Sequence, residues 1–511
     1  MKNHPPIEYQ TDKDTYPATP TLWNIVKEGK KNDQKYKPIL CWSCVHTTLE
    51  DMGFRTWWPE GHGKGVAEFI RVQGNILDKV SREGIISFIV DEHIRPLHGL
   101  TEVPLTTEDG TSVAIWADDL IEVWKRGKNN ILGRDQLAEL KPYTSPILKD
   151  TAEESYFPFR NCIVKVTREG MVPLQYEELQ DMGVWKSHII QRDYMPHTSP
   201  DTFMFADFIR NVANDIPDRV LSFQTAIGYL LHIHTSGDTA VAVIAYDEAV
   251  NDGRRANGGT GKGMIFAEAI KQLRNVTDIE GKAYSEDNHF QWNDITDETQ
   301  IIYVDDPNKK FTLNKLFSLI TNGLNIQRKH KGSLKKKLAN SPKWYIATNY
   351  MLEGGDDSSD RRQHILTFSN YYSSRKNQGT RRPIVDTHGC RFFDDWDDDQ
   401  WNAFYTYMMD CVLLYMQIGL KPYTCSSVAI SQIAYRTSTT FFDWVQYAGI
   451  KDGSEFKDRD LLDQYKSATD DNTIEPTLFY KYLRTYALFN GLHMDRGGQG
   501  RRTLIFTKVT G

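Results

Sequence analysis

Apolar residues along this chain change their spacing from segment to segment, and each spacing predicts a different kind of structure. Residues 1–35 mix Pro, Asn, Lys and Asp without a sustained period, which predicts a flexible arm, with folded structure beginning near Lys37. A helix-like run then ends at Gly53 and is followed by the strand-like FRTWW and VAEFIRV. Next comes SREGIISFIVDEHI, with Ser81 placed to act as N-cap. Residues 36–150 thus read as a mixed α+β domain. In RNCIVKVTREGMVPL two short apolar runs flank Glu169 and Gly170, the pattern of a hairpin. Between Asp201 and His234, Phe205, Phe208, Ile209, Val212, Leu221, Ile227, Leu230 and Leu231 recur at helical spacing. Hairpin and helices together form an expected collar over residues 151–235.

The texture then changes to short runs that are apolar on both faces: AVAVIAY (240–246), IIYVD (301–305) and KWYIAT (343–348). Such runs are central strands of a sheet covered on both sides. Residues 236–400 are therefore expected to form an α/β domain, followed by a helical connection over 401–435 that starts with WNAFYTYM. The remaining segment, 436–511, reads as its own unit. EPTLFYKYLRTYALFNG predicts a helix with Pro476 in its first turn and Gly491 at its C-cap, and two strand-like pieces then flank GGQG. A helix followed by a β-ribbon with a basic tip is a winged-helix pattern, with Lys481, Arg484, Arg501 and Arg502 as its DNA-contacting cations.

Composition narrows the class. With 511 residues, 40% of them hydrophobic and 25% charged, the chain is long enough for several folded domains and too apolar to be disordered. No stretch approaches the ~18 uninterrupted apolar residues of a membrane span, and the first residues lack the apolar core of a signal peptide. A cytoplasmic protein without membrane contact is expected. Six cysteines, Cys41, Cys44, Cys162, Cys390, Cys411 and Cys425, are too sparse for a disulfide framework and are expected to be reduced thiols. The net charge of −7 excludes a chain that is basic overall, but nucleic-acid binding needs only a local cationic patch.

Candidate chemistry begins at ANGGTGKG, Ala256 to Gly263, between an apolar strand and MIFAEAIKQL. Strand, glycine loop and helix is a phosphate-binding context. Successive backbone N–H groups of Gly258, Gly259, Thr260, Gly261 and Gly263 converge on phosphate oxygens while Lys262 reaches the outer phosphates. Two positions depart from the usual pattern: Ala256 stands where Gly is usual, and Gly263 where a Ser or Thr hydroxyl ordinarily binds Mg²⁺. A water, Thr260 or nearby carboxylates must supply that ligand.

Downstream, IIYVDD ends an apolar strand in Asp305 and Asp306, carboxylates suited to hold Mg²⁺ and polarise a water. KWYIAT delivers Asn349 to the same expected edge, where its amide can orient water against a γ-phosphate. SSDRRQHIL carries Arg361 and Arg362, whose guanidinium groups suit the charge of a transferring phosphoryl group. Between the acidic and Asn motifs, Leu324 to Lys343 holds seven Lys or Arg and no acidic residue. That run is either a solvated loop or a nucleic-acid contact.

Taken in order, ANGGTGKG, IIYVDDP, RKHKG, IATN and DRR resemble the motifs of a superfamily 3 helicase over residues 240–370. The flanking SYFPFRNCIVKV, VWKSHIIQRDY and FQTAIGYLLH are similar to the helicase half of phage and plasmid primase-helicases, relatives of the poxvirus type. The resemblance implies an AAA+-like α/β P-loop ATPase core using ATP and Mg²⁺. It assigns Lys262 to phosphate, Asp305 and Asp306 to metal and water, and Asn349 to the γ-phosphate. A hairpin carrying Arg328, Lys329, His330 and Lys331 would touch DNA, and Arg361 or Arg362 would enter a neighbouring subunit's site. It further implies homo-hexameric rings on single-stranded and forked DNA, working beside a separate primase or polymerase. Two other classes stay open: a loading or initiator ATPase that does not unwind processively, and an inactive nucleotide-binding scaffold.

Other motifs carry less. CWSC, Cys41 to Cys44, has redox spacing without a strand–helix context, which favours a structural role. The DDWDDD run at 394–399 reads as a solvated helix start. No acidic pair on adjacent strands in the first 200 residues supports a priming site.

Overall fold

A computed structural model describes residues 22–29, 35–59, 67–107, 110–197, 203–248, 259–285, 288, 291–308, 311–313, 316–328, 332–349, 352, 361–373, 379, 382–469, 471–498 and 502–508. Its centre is a five-stranded parallel sheet built from β1 (Ala242–Asp247), β2 (Val276–Glu280), β3 (Ile301–Asp305), β6 (Lys343–Ala347) and β7 (Gln363–Phe368). The strand order is β2-β3-β6-β1-β7. An antiparallel hairpin, β4 (Asn325–Arg328) and β5 (Gly332–Lys335), is inserted between β3 and β6.

The doubly apolar runs are explained by which side each residue faces. Val243, Ala245, Tyr303, Tyr345 and Ala347 join one buried cluster, and their neighbours Ala242, Ile244, Ile302, Val304, Trp344 and Ile346 join another. The two-residue period of a strand sends consecutive apolar side chains to opposite faces, so a sheet buried on both sides needs no polar alternation. The first face is covered by α1 (Met204–Val212), α2 (Pro217–Leu231) and α3 (Asp398–Ile418), through residues such as Phe208, Phe223, Leu230, Phe404 and Met408. The second is covered by Trp292, Phe311, Leu316 and Ile320 and by the hairpin's Ile326 and Leu334. The acidic run before α3 is a helix start: Asp397 Oδ1 accepts from Gln400 N, and Gln400 Oε1 accepts from Asp397 N in return, closing a capping box.

The N-terminal part is mixed α and β, with a core that includes Val45, Leu49, Phe54, Ile85, Leu120 and Trp124. Ser81 caps the helix Arg82–Ile89 by accepting from Gly84 N at 3.0 Å. The hairpin expected about Glu169 is formed by Ile163–Thr167 and Gly170–Leu174. Two expectations are corrected. Within the supposed arm, Trp23–Glu28 is a strand paired with Lys35–Leu40, and Leu22, Trp23 and Ile25 are buried. Three apolar anchors outweigh a polar surrounding sequence. Cys41 does stand between a strand and a helix. Its sulfur accepts from Cys44 N as the cap of Trp42–Asp51, a structural job.

After α3 come α4 (Ser426–Arg436), α5 (Thr439–Val445), β8 (Glu455–Lys457), α6 (Asp458–Thr469), α7 (Pro476–Phe489), β9 (Leu492–Gly497) and β10 (Thr503–Lys508). The three strands form a sheet in the order β8-β10-β9. Phe441, Leu461, Tyr465, Phe479, Leu483, Leu504 and Phe506 form its own core. The link is α4, whose Val428 packs into the parallel-sheet domain and whose Ile433 packs into the C-terminal core. Among the described residues no helix is long and apolar enough to cross a membrane.

Candidate active site at the carboxyl edge of the sheet

In a parallel sheet every strand ends on the same edge, so residues that follow strands far apart in sequence meet there. Register fixes which ones. Ala245 and Asp305 both pair with Ala347. One or two residues further on, Asp247, Asn349 and Asp306 therefore stand side by side at the ends of β1, β6 and β3. The strand order matters: β6 lies between β1 and β3, which puts Asn349 between the loop that follows β1 and the acidic pair that follows β3.

A continuous polar chain results. Lys262 Nζ lies 2.6 Å from Asp247 Oδ2 and donates to Asn349 Oδ1 at 3.0 Å. Asn349 Nδ2 donates to Asp306 Oδ1 at 3.1 Å, and Asp306 Oδ2 is 3.0 Å from Lys282 Nζ. Thr260 Oγ1 donates to the other Asp247 oxygen at 2.6 Å. Asp305 accepts from the Tyr303 hydroxyl at 2.8 Å. Burial, together with that bond, holds the phenol above its ordinary range, and the bond to Asp306 raises the Lys282 ammonium. Both groups keep their protons at neutral pH.

The loop is shaped for close approach. Gly261 has φ +106° and a Cβ there would stand 2.9 Å from the Phe208 ring of α1, so only glycine fits. Gly281, at the end of β2, passes beside the acidic pair: a Cβ would meet Asp305 O and Pro307 Cα at 2.5 Å. Asp306 itself has φ +42°, a left-handed backbone held by its N–H bond to Ala347 O. The loop continues into the helical turns Met264–Ala269 and Ile270–Gln272. Gly259, Thr260, Gly261, Lys262, Gly263, Asp305, Asp306 and Asn349 together line a cleft of about 860 Å³, closed by Tyr372, Arg382 and Phe392.

The other sequence candidates lie elsewhere. Arg361 and Arg362 precede β7, and Arg362 O accepts from Ala242 N at the start of β1. They sit on the amino edge, one strand length or roughly 17–20 Å from the loop of the same chain. The guanidinium of Arg362 lies 5.0 Å from the centre of the Phe317 ring. The basic hairpin rises from that same edge, because β5 leads into the start of β6; Arg328 pairs with Gly332 near its tip. Lys481 and Arg484 are exposed on α7, and Arg502 is exposed before β10. Gly258, Lys329, His330, Lys331 and Arg501 lie outside the described residues.

Sequence reasoning missed Asp247, Lys282, Tyr303 and Arg382. Asp247 was findable, since it ends an apolar strand in the way Asp305 does. Lys282 and Arg382 carry no local signal, and only the sheet brings them in.

Residues 255–362 match a family of unknown function (DUF5906). No curated protein matches the chain. Among solved structures, an A-form apo structure of the NrS-1 C-terminal region is similar over 91% of this chain and 99% of that one, at 11% identity and a TM-score of 0.45. A second apo structure of that region, residues 305–718, covers 91% and 98% at 11% identity and a TM-score of 0.41. JCV helicase with a bound small molecule covers 47% and 63% at 12% identity and a TM-score of 0.26.

Proposed function

We propose that this chain is an ATP-driven DNA helicase of replication that assembles as a homo-hexameric ring on single-stranded or forked DNA. The observation that carries the reading is the line Asp247–Lys262–Asn349–Asp306 across the carboxyl edge, beside a glycine loop with open space at Gly263. A cation, a neutral amide and two carboxylates around one cleft match what phosphoryl transfer requires.

The donor set fits Mg²⁺, which takes one or two carboxylates and completes its shell with phosphate oxygens and water. Asp305 and Asp306 would hold it, and the ion would neutralise phosphate charge and orient an attacking water. Lys262 exchanges its contact with Asp247 for a phosphate oxygen. Asn349 is then free to direct water, held at the correct distance by Asp306. Arg361 and Arg362, on the opposite edge, act on the nucleotide of an adjacent subunit. The basic hairpin follows the DNA, and its base at the start of β6 ties it to the strand that bears Asn349.

Within this reading, α1, α2 and the preceding hairpin form a collar. The C-terminal unit is a winged helix with α7 as the DNA-reading helix, Lys481 and Arg484 on its exposed side and Arg502 at the wing. A separate primase or polymerase would act beside the ring. A second reading is favoured by Gly263: without the usual hydroxyl on Mg²⁺, the chain would be a loading ATPase that turns over slowly and does not unwind processively. Steady-state ATPase and forked-duplex unwinding test both. Wild-type protein should show DNA-stimulated turnover and strand displacement, and Lys262→Ala should lose both with its fold intact. Equal ATPase in wild type and Lys262→Ala removes the nucleotide-site assignment, while turnover without displacement selects the loading reading.

A further inference from the structure

A second cavity, of about 320 Å³, lies on the amino edge of the sheet. Its walls include His234, Arg274, Gln300 and Lys336, from segments that precede β1, β2, β3 and β6, and Trp57 and Trp185 from the N-terminal part. It is thus separated from the phosphate-loop cleft by the length of the strands, and its contents are independent of the reading of that cleft. Cavities of this size between structural units are the usual setting of small-molecule sites.

The polar groups of this cavity are unevenly satisfied. Arg274 and Asp150 are not available: Arg274 bonds Leu231 O, Tyr156 O, Ser155 Oγ and Asp150, and Asp150 also accepts from Tyr156 N and Ile233 N. Asp297 is different. Its side chain is 7% exposed, its Oδ2 accepts no hydrogen bond, and the nearest cation, Lys79, is 3.7 Å away. A buried carboxylate oxygen without a donor is costly. Beside it, Lys336 Nζ gives two of its three protons to Asp297 O and Thr299 O, leaving one. An acceptor and a donor thus stand together on one wall. Trp57 and Trp185 stand edge to face, ring centroids 4.9 Å apart, with the Lys79 ammonium 5.0 and 5.4 Å from their ring centres, and they form the aromatic side of the cavity.

A ligand complementary to these groups is flat and aromatic, with an N–H to give to Asp297 and an adjacent carbonyl to take from Lys336. We propose that this cavity binds a lactam nucleobase (thymine, uracil or guanine), either as a free nucleotide or as one unit of a DNA strand. Base–aromatic contact of this kind tolerates either source. The lining carries Lys149, Arg274 and Lys336 against Asp150 and Asp297, a small cationic excess that suits an attached phosphate. Because Lys336 directly follows β5, an occupied cavity would brace the root of the basic hairpin against the N-terminal part.

The test is photocrosslinking of the full chain with 5-iodo-deoxyuridine monophosphate and, separately, with a single-stranded oligonucleotide that contains one 5-iodouracil. Crosslinked peptides are mapped by mass spectrometry. The proposal predicts adducts on Trp57, Tyr156 or Trp185 with at least one probe, reduced at least tenfold by Asp297→Asn and by Lys336→Gln, with circular dichroism reporting the fold of each variant. Adducts from the mononucleotide identify a free-nucleotide site, and adducts from the oligonucleotide alone identify a strand-base site. No adduct on these residues from either probe overturns the proposal. So do adducts that persist undiminished in both folded variants.

Discussion

Lys262 is held by Asp247, 2.6 Å away, with side chains 11% and 7% exposed. The glycine-loop cation thus has a built-in anionic partner at the end of the strand that precedes it. Asp247→Ala should lower apo stability by about 1–3 kcal/mol, below the ~3–5 kcal/mol of a fully buried pair because the cleft admits water to Lys262. ATP with Mg²⁺ should restore most of the loss by giving Lys262 a new partner. Thermal unfolding with and without nucleotide checks this, and an equal deficit in both conditions would mean that Asp247 acts on the fold alone.

Asp306 combines two roles that substitution can separate. Its left-handed φ is tolerated by Asn far better than by Ala. Asp306→Asn should keep near-wild-type stability and nucleotide binding while reducing ATP turnover at least a hundredfold. Asp306→Ala should lose turnover and also about 1 kcal/mol of stability through backbone strain. Calorimetric nucleotide binding beside steady-state ATPase distinguishes the two effects.

Gly263 has φ −61° and ψ −32°, and a Cβ added there would meet nothing within 4 Å. Serine therefore fits, and Gly263→Ser should lower the Mg²⁺ concentration for half-maximal ATPase severalfold by supplying the hydroxyl that the loop lacks. A magnesium titration is the measurement. An unchanged midpoint would show that the existing carboxylates already satisfy the ion.

The separation of Arg361 and Arg362 from Lys262 of the same chain makes a mixing experiment decisive. Arg361→Ala with Arg362→Ala should be inactive alone, as should Lys262→Ala. Mixed under subunit exchange, a subunit with intact Lys262 can face one with intact arginines, and ATPase should reappear. No recovery despite exchange, shown by labelled subunits, would count against arginines acting across an interface.

Stability should fall in acid for an identifiable reason. Burial depresses His188 and His364 to about 4, against an ordinary 6.5. Both are neutral in the folded chain where the unfolded chain binds a proton, so the stability they contribute is present above pH 6.5 and is lost as the pH falls toward 4. The loss is about 1–3 kcal/mol per group. His364→Gln, which keeps a polar partner for Ser222, should flatten the dependence of the melting temperature on pH between 6.5 and 4.5. A parallel curve would assign the acid loss to the carboxylates.

Much of this molecule is written locally. A strand apolar on both faces, a serine that caps its own helix and a run of aspartates that opens α3 each depend on neighbours a few residues away. Their patterns survive in the sequence for that reason. Lys262 was legible from the glycine loop that carries it, and Asp305, Asp306 and Asn349 because each ends or closely follows an apolar run. What only the tertiary structure decided is the order of the strands. Placing β6 between β1 and β3 makes Asn349 the bridge between cation and carboxylates, and it admits Asp247 and Lys282 to the same line. The same parallel order sends Arg361, Arg362 and the basic hairpin to the opposite edge. It also gathers the amino-edge cavity from segments scattered between Trp57 and Asn340. Strand order is set by burial of two whole faces at once, an energy spread over distant residues that no local pattern encodes.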